Sequence, residues 1–355
     1  MGDKKLMKGN EAFAEAAIRA GCDAYFGYPI TPQSEVMEYL AAQQPHLRTG
    51  MVLLQAESEV AAINMVYGAA GTGKKVMTSS SSPGISLKQE GISYLAGSQL
   101  PCLILNVMRG GPGLGTIQPS QSDYFQATKG GGHGDYRMVV LAPASVQEMS
   151  DFVKLGFELA FKYRNPLMIL SDGIIGQMME KVELFDQMPR LNEFDQQWAT
   201  TGKTPDRERN IITSLDLDPA RHERHNLKLQ AKYQKMRENE VRFEAIDCDD
   251  AEYLFIAYGS CARICQKSVK LSRDKGIKAG LIRPITLFPF PSDEIGRRAA
   301  NLKGILTVEM SSGQMIEDVR LAVDGKVKVA FHGRMGGMVP SPEEVFEALI
   351  KSFSI

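Results

Sequence analysis

Four short stretches of this 355-residue sequence bring together residue types that can handle protons or bind anions. The first is Gln55-Ala56-Glu57-Ser58-Glu59-Val60-Ala61-Ala62, which continues through Ile63, Met65 and Val66 to Ala70. A helix that apolar buries most of its surface. Glu59 would then stand at its first turn, beside the positive end of the dipole, in a dry cleft. Two uses fit: a carboxylate that caps the helix, or an acid kept for catalysis. The second stretch is Tyr28-Pro29-Ile30-Thr31-Pro32. Its two prolines force a turn, either a rigid bend without further purpose or a mount for the Thr31 hydroxyl. The third is Met108-Arg109-Gly110-Gly111-Pro112-Gly113. An arginine ending a buried strand can clamp a carboxylate in bidentate fashion or form a structural ion pair. The fourth is Gly130-Gly131-Gly132-His133-Gly134-Asp135, whose glycines would let backbone approach a ligand closely. His133 alone carries little.

These stretches need strands and helices to aim them. Helical spacing of Phe13, Ala16, Ala17 and Ala20 predicts a helix over 10–20, with Asn10 as its N-cap. Ala24–Gly27 reads as a strand running into the proline loop, followed by a helix through Val36, Met37 and Leu40. Further strands are expected at 52–54, 75–78, 102–108 and 167–170, with helices at 57–70, 85–97 and 146–162. Alternation of this kind implies a parallel sheet covered on both faces, whose strand ends offer the ligand site. Residues 220–243 read as an exposed, charged helix, and Arg221–Arg224 as a solvated face or a partner-docking patch. A second α/β unit follows, with strands at 253–257, 279–282 and 304–309, a helix at 261–274, and a corner at Arg283-Pro284-Ile285-Thr286-Leu287-Phe288-Pro289-Phe290-Pro291. The expected division is 1–190, a connector at 191–245, and 246–355.

Composition narrows the classes. A net charge of −1 gives no global field for nucleic acid or a membrane surface. No apolar run is long enough to span a bilayer. The N-terminal segment has no signal-peptide pattern, so a cytoplasmic location is expected. Cys22, Cys102, Cys248, Cys261 and Cys265 include only one close pair, C-x3-C, short of a metal or cluster site. No metal-binding residues are expected. Gly68-x4-Gly73-Lys74-Lys75 fails as a phosphate loop: Lys75 replaces the Ser/Thr, and the helix precedes rather than follows. His222 and His225 fall on the charged helix.

The order GNEAFAEAAIRAG, YPITP, E-x-E, RGGP, GGHGD and RPITLFPFP resembles the α subunit of 2-oxoacid:ferredoxin oxidoreductases over nearly the whole chain. SSSSPGISLKQEGISYLAG and GGPGLGTIQPSQSDYFQATKGGGHGDYR are most similar to the branched-chain (3-methyl-2-oxobutanoate) subgroup. The resemblance implies an α/β chain: a thiamine-diphosphate-binding-type parallel sheet domain for the pyrimidine, then a smaller transketolase C-terminal-like α/β domain. It implies that Glu59 hydrogen-bonds N1′ of the aminopyrimidine, that Thr31 contacts the reacting substrate, and that Arg109 binds its carboxylate. Tyr28, Pro29, Ile30 and Gly84 would join Glu59 around the cofactor.

The superfamily holds diphosphate and Mg²⁺ by G-D-G and a downstream N-N. Here the nearest string is Ser171-Asp172-Gly173, with no such pair after it. The resemblance therefore places Mg²⁺ and the diphosphate on a β subunit, and the [4Fe–4S] clusters on partners, a γ subunit and a ferredoxin-like δ subunit, that pass electrons to ferredoxin. Coenzyme A is the expected acyl acceptor, with Arg283 and Arg334 as weak candidates for its site. Competing expectations are the same chemistry on 2-oxoglutarate or an aryl 2-oxoacid, a non-catalytic scaffold, and a non-redox thiamine decarboxylase or synthase.

Overall fold

A computed structural model describes residues 4–191, 196–203 and 205–355. Residues 192–195 and 204 of the expected connector lie outside the described residues. In chain order the strands are β1 (Lys4–Lys8), β2 (Ala24–Gly27), β3 (Val52–Gln55), β4 (Val76–Ser80), β5 (Cys102–Met108), β6 (Val139–Leu141) and β7 (Pro166–Asp172). They continue with β8 (Met179–Glu183), β9 (Phe243–Ile246), β10 (Tyr253–Ile256), β11 (Ala279–Pro284), β12 (Thr286–Phe288), β13 (Gly304–Glu309) and β14 (Val329–Gly333).

The larger sheet has the order β12-β6-β7-β5-β4-β2-β3 and is parallel except at β12, which runs antiparallel to β6. β4, β5, β6 and β7 are buried at every position, as a parallel sheet covered on both faces requires. The smaller sheet runs β14-β13-β10-β11-β9, with β9 antiparallel to β11. β1 and β8 form a separate antiparallel pair. The α/β class and the parallel sheets agree with the sequence reading.

The two sheets are tied at both chain and side-chain level. The corner after Arg283 sends β12 back from the smaller sheet to the edge of the larger one. One hydrophobic core continues from Phe13, Leu105 and Leu170 to Ile256, Ile305 and Val319. Gln121 is the polar counterpart: its N–H donates to the Met310 carbonyl at 2.8 Å, and its Oε1 accepts from the Met310 N–H at 3.0 Å. Tyr258 Oη also donates to the Gln121 carbonyl at 3.1 Å.

Two local expectations change. The first helix spans Gly9–Arg19, and the Glu11 carboxylate takes the Lys8 N–H at 3.0 Å. Asn10 is therefore not the cap. It is fully buried and turns its amide to the proline loop instead. The charged helix spans Pro219–Asn239, and it is not exposed all round: Leu229, Tyr233 and Met236 make a buried stripe against the larger core. Arg221 and Arg224 are solvated as expected, with Arg221 paired to Asp216.

Candidate active site

The site residues leave the C-terminal ends of four neighbouring strands, β5, β4, β2 and β3. The loop after β2 carries Tyr28–Pro32 and is held from three sides. The Pro32 carbonyl accepts from Asn10 Nδ2 and from Gln177 Nε2, both at 2.8 Å. Gln33, fully buried, accepts from Ser79 Oγ at 2.5 Å and donates to the Tyr28 carbonyl at 3.3 Å. Tyr25 Oη closes the chain on Ser79 at 2.7 Å. Buried, satisfied networks of this kind fix geometry. The Thr31 side chain, in contrast, is exposed and has no hydrogen-bond partner among the described residues.

Glu59 opens the helix Glu59–Gly71, directly after β3, with 6% exposure. The capping alternative does not hold, because Ser58 caps this helix, its Oγ accepting from the Ala61 N–H at 3.1 Å. Among the described residues nothing donates to the Glu59 carboxylate. A buried acid without a hydrogen-bond partner is expensive. Beside it stands Gly84, in the first turn of the helix Ser82–Gly97. A Cβ on Gly84 would lie 2.6 Å from Glu59 Oε1 and 2.1 Å from Ser80 Oγ. Ser80 Oγ and Ser81 Oγ are buried without partners. These strand ends thus hold a carboxylate and two hydroxyls that have no hydrogen-bond partner among the described residues.

Arg109 follows β5 and forms no ion pair among the described residues, so the structural-pair alternative also fails. Its Nη1 donates to the Thr31 carbonyl at 3.1 Å and its Nη2 to the Leu114 carbonyl at 3.3 Å. Nε is buried and unpartnered. Ser82 Oγ accepts from the Arg109 N–H at 3.0 Å and donates to Asp123 Oδ2 at 2.6 Å. Asn106 Nδ2 donates to the same oxygen at 2.9 Å. Burial pushes the Asp123 carboxyl up, against these two hydrogen bonds. A cavity of about 640 Å³ opens here, lined by Ser82, Arg109, Leu114 and Asp123 from one unit and Ser311 and Gln314 from the other.

The structure therefore gathers Tyr28, Pro29, Ile30, Thr31, Glu59, Gly84 and Arg109 at adjoining strand ends. The fourth stretch does not join them. Gly131 and Gly132 approach Gln89, and the His133 carbonyl accepts from Ser93 Oγ at 2.6 Å, so this loop packs along the helix Ser82–Gly97 instead. Arg283 is removed as a ligand candidate: it is buried and paired with Glu148 and Glu244. Arg334 is paired with Glu344. Asp172 is committed to structure, accepting from the Ile174 and Ile175 N–H groups and from Ser260 N–H and Oγ. The five cysteines are buried free thiols; burial pushes Cys22 up to about 12 and Cys261 far above its usual range. Among the described residues no helix is long and apolar enough to cross a membrane, and no group of metal-ligating side chains gathers.

Sequence reasoning overlooked Gln33, Ser79, Asn106, Asp123 and Lys88. Lys88 had a readable signal: it interrupts the buried stripe Gly84, Ile85, Ile92 and Leu95 at helical spacing.

Comparison with known proteins agrees with this arrangement. A family model described as pyruvate flavodoxin/ferredoxin oxidoreductase, thiamine diphosphate-binding, matches residues 15–245. One described as pyruvate:ferredoxin oxidoreductase core domain II matches residues 251–345. The ketoisovalerate oxidoreductase subunit VorB of Methanothermobacter thermautotrophicus is 51% identical over 97% of this chain and 97% of its own length. The 2-oxoglutarate synthase subunit KorA of Methanocaldococcus jannaschii is 35% identical over 98% of this chain and 99% of its own. A solved 2-oxoglutarate:ferredoxin oxidoreductase from Magnetococcus marinus, with 2-oxoglutarate, coenzyme A and succinyl-CoA bound, superposes with a TM-score of 0.88 at 28% identity. That match covers 99% of this chain and 66% of the other.

Proposed function

The chain belongs to the pyruvate flavodoxin/ferredoxin oxidoreductase family, and we propose that it is the α-type subunit of a complex that oxidatively decarboxylates 3-methyl-2-oxobutanoate to an acyl-CoA and CO₂. The observation that carries the reading is Glu59, a buried carboxylate to which no described residue donates a hydrogen bond. A scaffold has no use for such an acid. The branched-chain substrate is favoured by the 51% identity to a ketoisovalerate oxidoreductase subunit, against 35% to a 2-oxoglutarate synthase subunit.

The residues present fit a flat heteroaromatic ring. Gly84 has no side chain to intrude, Glu59 lies against it, and Ser80 and Ser81 leave hydroxyls free. The chemistry that thiamine diphosphate supplies when bound is nucleophilic attack on the 2-oxo carbon, followed by loss of CO₂. Glu59 holds a proton at N1′ of the aminopyrimidine, which favours the tautomer whose exocyclic nitrogen acts as base. Arg109 binds the substrate carboxylate, and its carbonyl contacts tie it to the loop carrying Thr31. Thr31 presents its free hydroxyl to the reacting carbonyl. Both groups favour reaction to the extent that they bind charge that develops only in the transition state. Tyr28, Pro29 and Ile30 wall the ring.

Residues 1–190 act as the pyrimidine-binding domain, 191–245 as connector and 246–355 as the transketolase-C-like domain. The rest of the cofactor site is supplied from outside. Val60, Leu87 and Leu114 are exposed around Glu59 and Arg109, an apolar rim suited to burial under another subunit. A β subunit carrying the diphosphate and Mg²⁺ site covers that rim. Electrons leave through [4Fe–4S] clusters on partner γ and δ subunits to ferredoxin.

Copurification from the host, followed by CoA-dependent viologen reduction with a panel of 2-oxoacids, tests this. The highest kcat/KM with 3-methyl-2-oxobutanoate is expected. A higher value with 2-oxoglutarate or an aryl 2-oxoacid refutes the substrate assignment, and no CoA-dependent reduction with any of them refutes the activity.

A further inference from the structure

Lys88 is the one fully buried lysine among the described residues. It stands one helical turn after Gly84, on the same face of the helix Ser82–Gly97. Helical side chains lean toward the N-terminus, so its long stem runs back toward Gly84 and the Glu59 carboxylate that Gly84 abuts. The ammonium lands on β4, donating to Thr78 Oγ1 at 2.7 Å and to the Ser79 carbonyl at 2.9 Å. An ammonium has three donors; the third has no partner among the described residues. Ser79 is also the residue whose hydroxyl grips Gln33 and, through it, the proline loop. A buried lysine and a buried glutamate, neither in an ion pair among the described residues, thus both lie near Gly84.

We propose that Lys88 is a positioning residue for Glu59: its buried ammonium is the counter-charge that holds the carboxylate where it can engage N1′ of the pyrimidine. This rests on the role given above to Glu59. Among the groups that act on Lys88, Glu59 is the charged one, while the facing residues of β4, Thr78 and Ser79, are neutral. Burial pushes the Lys88 ammonium down to about 7, and the Glu59 charge works against that push. The attraction is mutual, so the ammonium in turn draws on the carboxylate.

The test uses the assembled complex carrying K88M, K88R or E59Q, each verified by copurification of all subunits. Two quantities are followed against pH: thiamine diphosphate affinity by titration calorimetry, and kcat/KM for 3-methyl-2-oxobutanoate. In the wild type both should fall as pH rises through about 7, where Lys88 loses its charge. K88M should lie about 10-fold or more below the wild type at acidic pH, the worth of a lost charged partner, and show no such fall. K88R, whose guanidinium remains charged, should match the wild type at acidic pH and keep those values above pH 7. If E59Q is inactive but K88M matches the wild type throughout, the Lys88 proposal is overturned and the reading of Glu59 stands. If E59Q retains full activity and affinity, both fall together. A K88R complex as impaired as K88M would show that shape rather than charge matters, which also overturns the proposal.

Discussion

Replacing Gly84 by alanine sets two effects of opposite sign against each other. In a helix, glycine to alanine ordinarily stabilises by roughly 0.5–1 kcal/mol. Here the new methyl would sit 2.6 Å from Glu59 Oε1, 3.1 Å from Glu59 Cγ and 2.1 Å from Ser80 Oγ. Ser80 Oγ has no partner to lose and can rotate away. Glu59 cannot leave so easily, because its backbone is fixed as the first residue of a helix capped by Ser58. To reach even the 3.0 Å that real Cβ contacts respect, the carboxylate must retreat by about 0.4 Å, and by at least twice that for an ordinary contact at 3.4 Å. Active-site groups tolerate about 0.5 Å of displacement, and an error of 1 Å can lower the rate about 100-fold. Overpacking costs roughly 1–3 kcal/mol, partly offset by the gain in helix propensity. G84A should therefore leave the fold within about 2 kcal/mol of wild type while lowering kcat/KM by about 10- to 100-fold. Denaturant unfolding of the purified complex and CoA-dependent viologen reduction measure the two sides. Wild-type turnover in a folded G84A complex would refute the claim that Gly84 exists to make room beside Glu59.

Three further outcomes follow from the same contacts. R109A removes the one guanidinium lining the cavity and should raise the KM for the 2-oxoacid by about 10- to 100-fold, the worth of a charge-assisted pair; initial rates against substrate concentration read it. D172A strips the acceptor from four donors at the junction of the two units and should cost about 3 kcal/mol in chemical unfolding. E15Q should cost about 2 kcal/mol at neutral pH, discounted because the arginine partners are partly solvated. Burial raises the Glu15 carboxyl, but hydrogen bonds and charge from Arg48 and Arg19 outweigh it, and the net position is below the usual range. With the folded value depressed, the stabilisation is complete above the unfolded value of about 4.3 and is lost as pH falls through the folded value. The gap between wild type and E15Q should accordingly close on acidification, as pH-dependent melting would record.

The sequence disclosed most where hydrophobic patterning and turn chemistry agree. β2 with the loop after it, the helix starting at Glu59 and the buried β5 ending just before Arg109 all lie within two residues of the reading. Long-range pairing was not legible. β6 has three residues, and β12 joins the larger sheet from the far side of a corner, so neither carries a local signature that tells it from loop. The order of parallel strands is set by crossovers that a single sequence does not display. The GGGHGD stretch shows why a glycine run is ambiguous: lack of a Cβ permits close approach to anything, and here the neighbour is Gln89 on the chain's own helix. Asn10 misleads in a similar way, since a helix-initial asparagine can cap its own helix or, as found, hold a distant carbonyl. The polar ties beneath the site, from Gln33 through Ser79 to Lys88, link positions up to 55 residues apart. They become visible only when strands are in register.

The central claim is that this chain contributes the acid which activates the pyrimidine. Turnover of the assembled E59Q complex, measured as CoA-dependent viologen reduction by 3-methyl-2-oxobutanoate, tests it most directly. The account predicts a fall in kcat of about 100-fold or more with all subunits still copurifying. An assembled E59Q complex that turns over at the wild-type rate would contradict it.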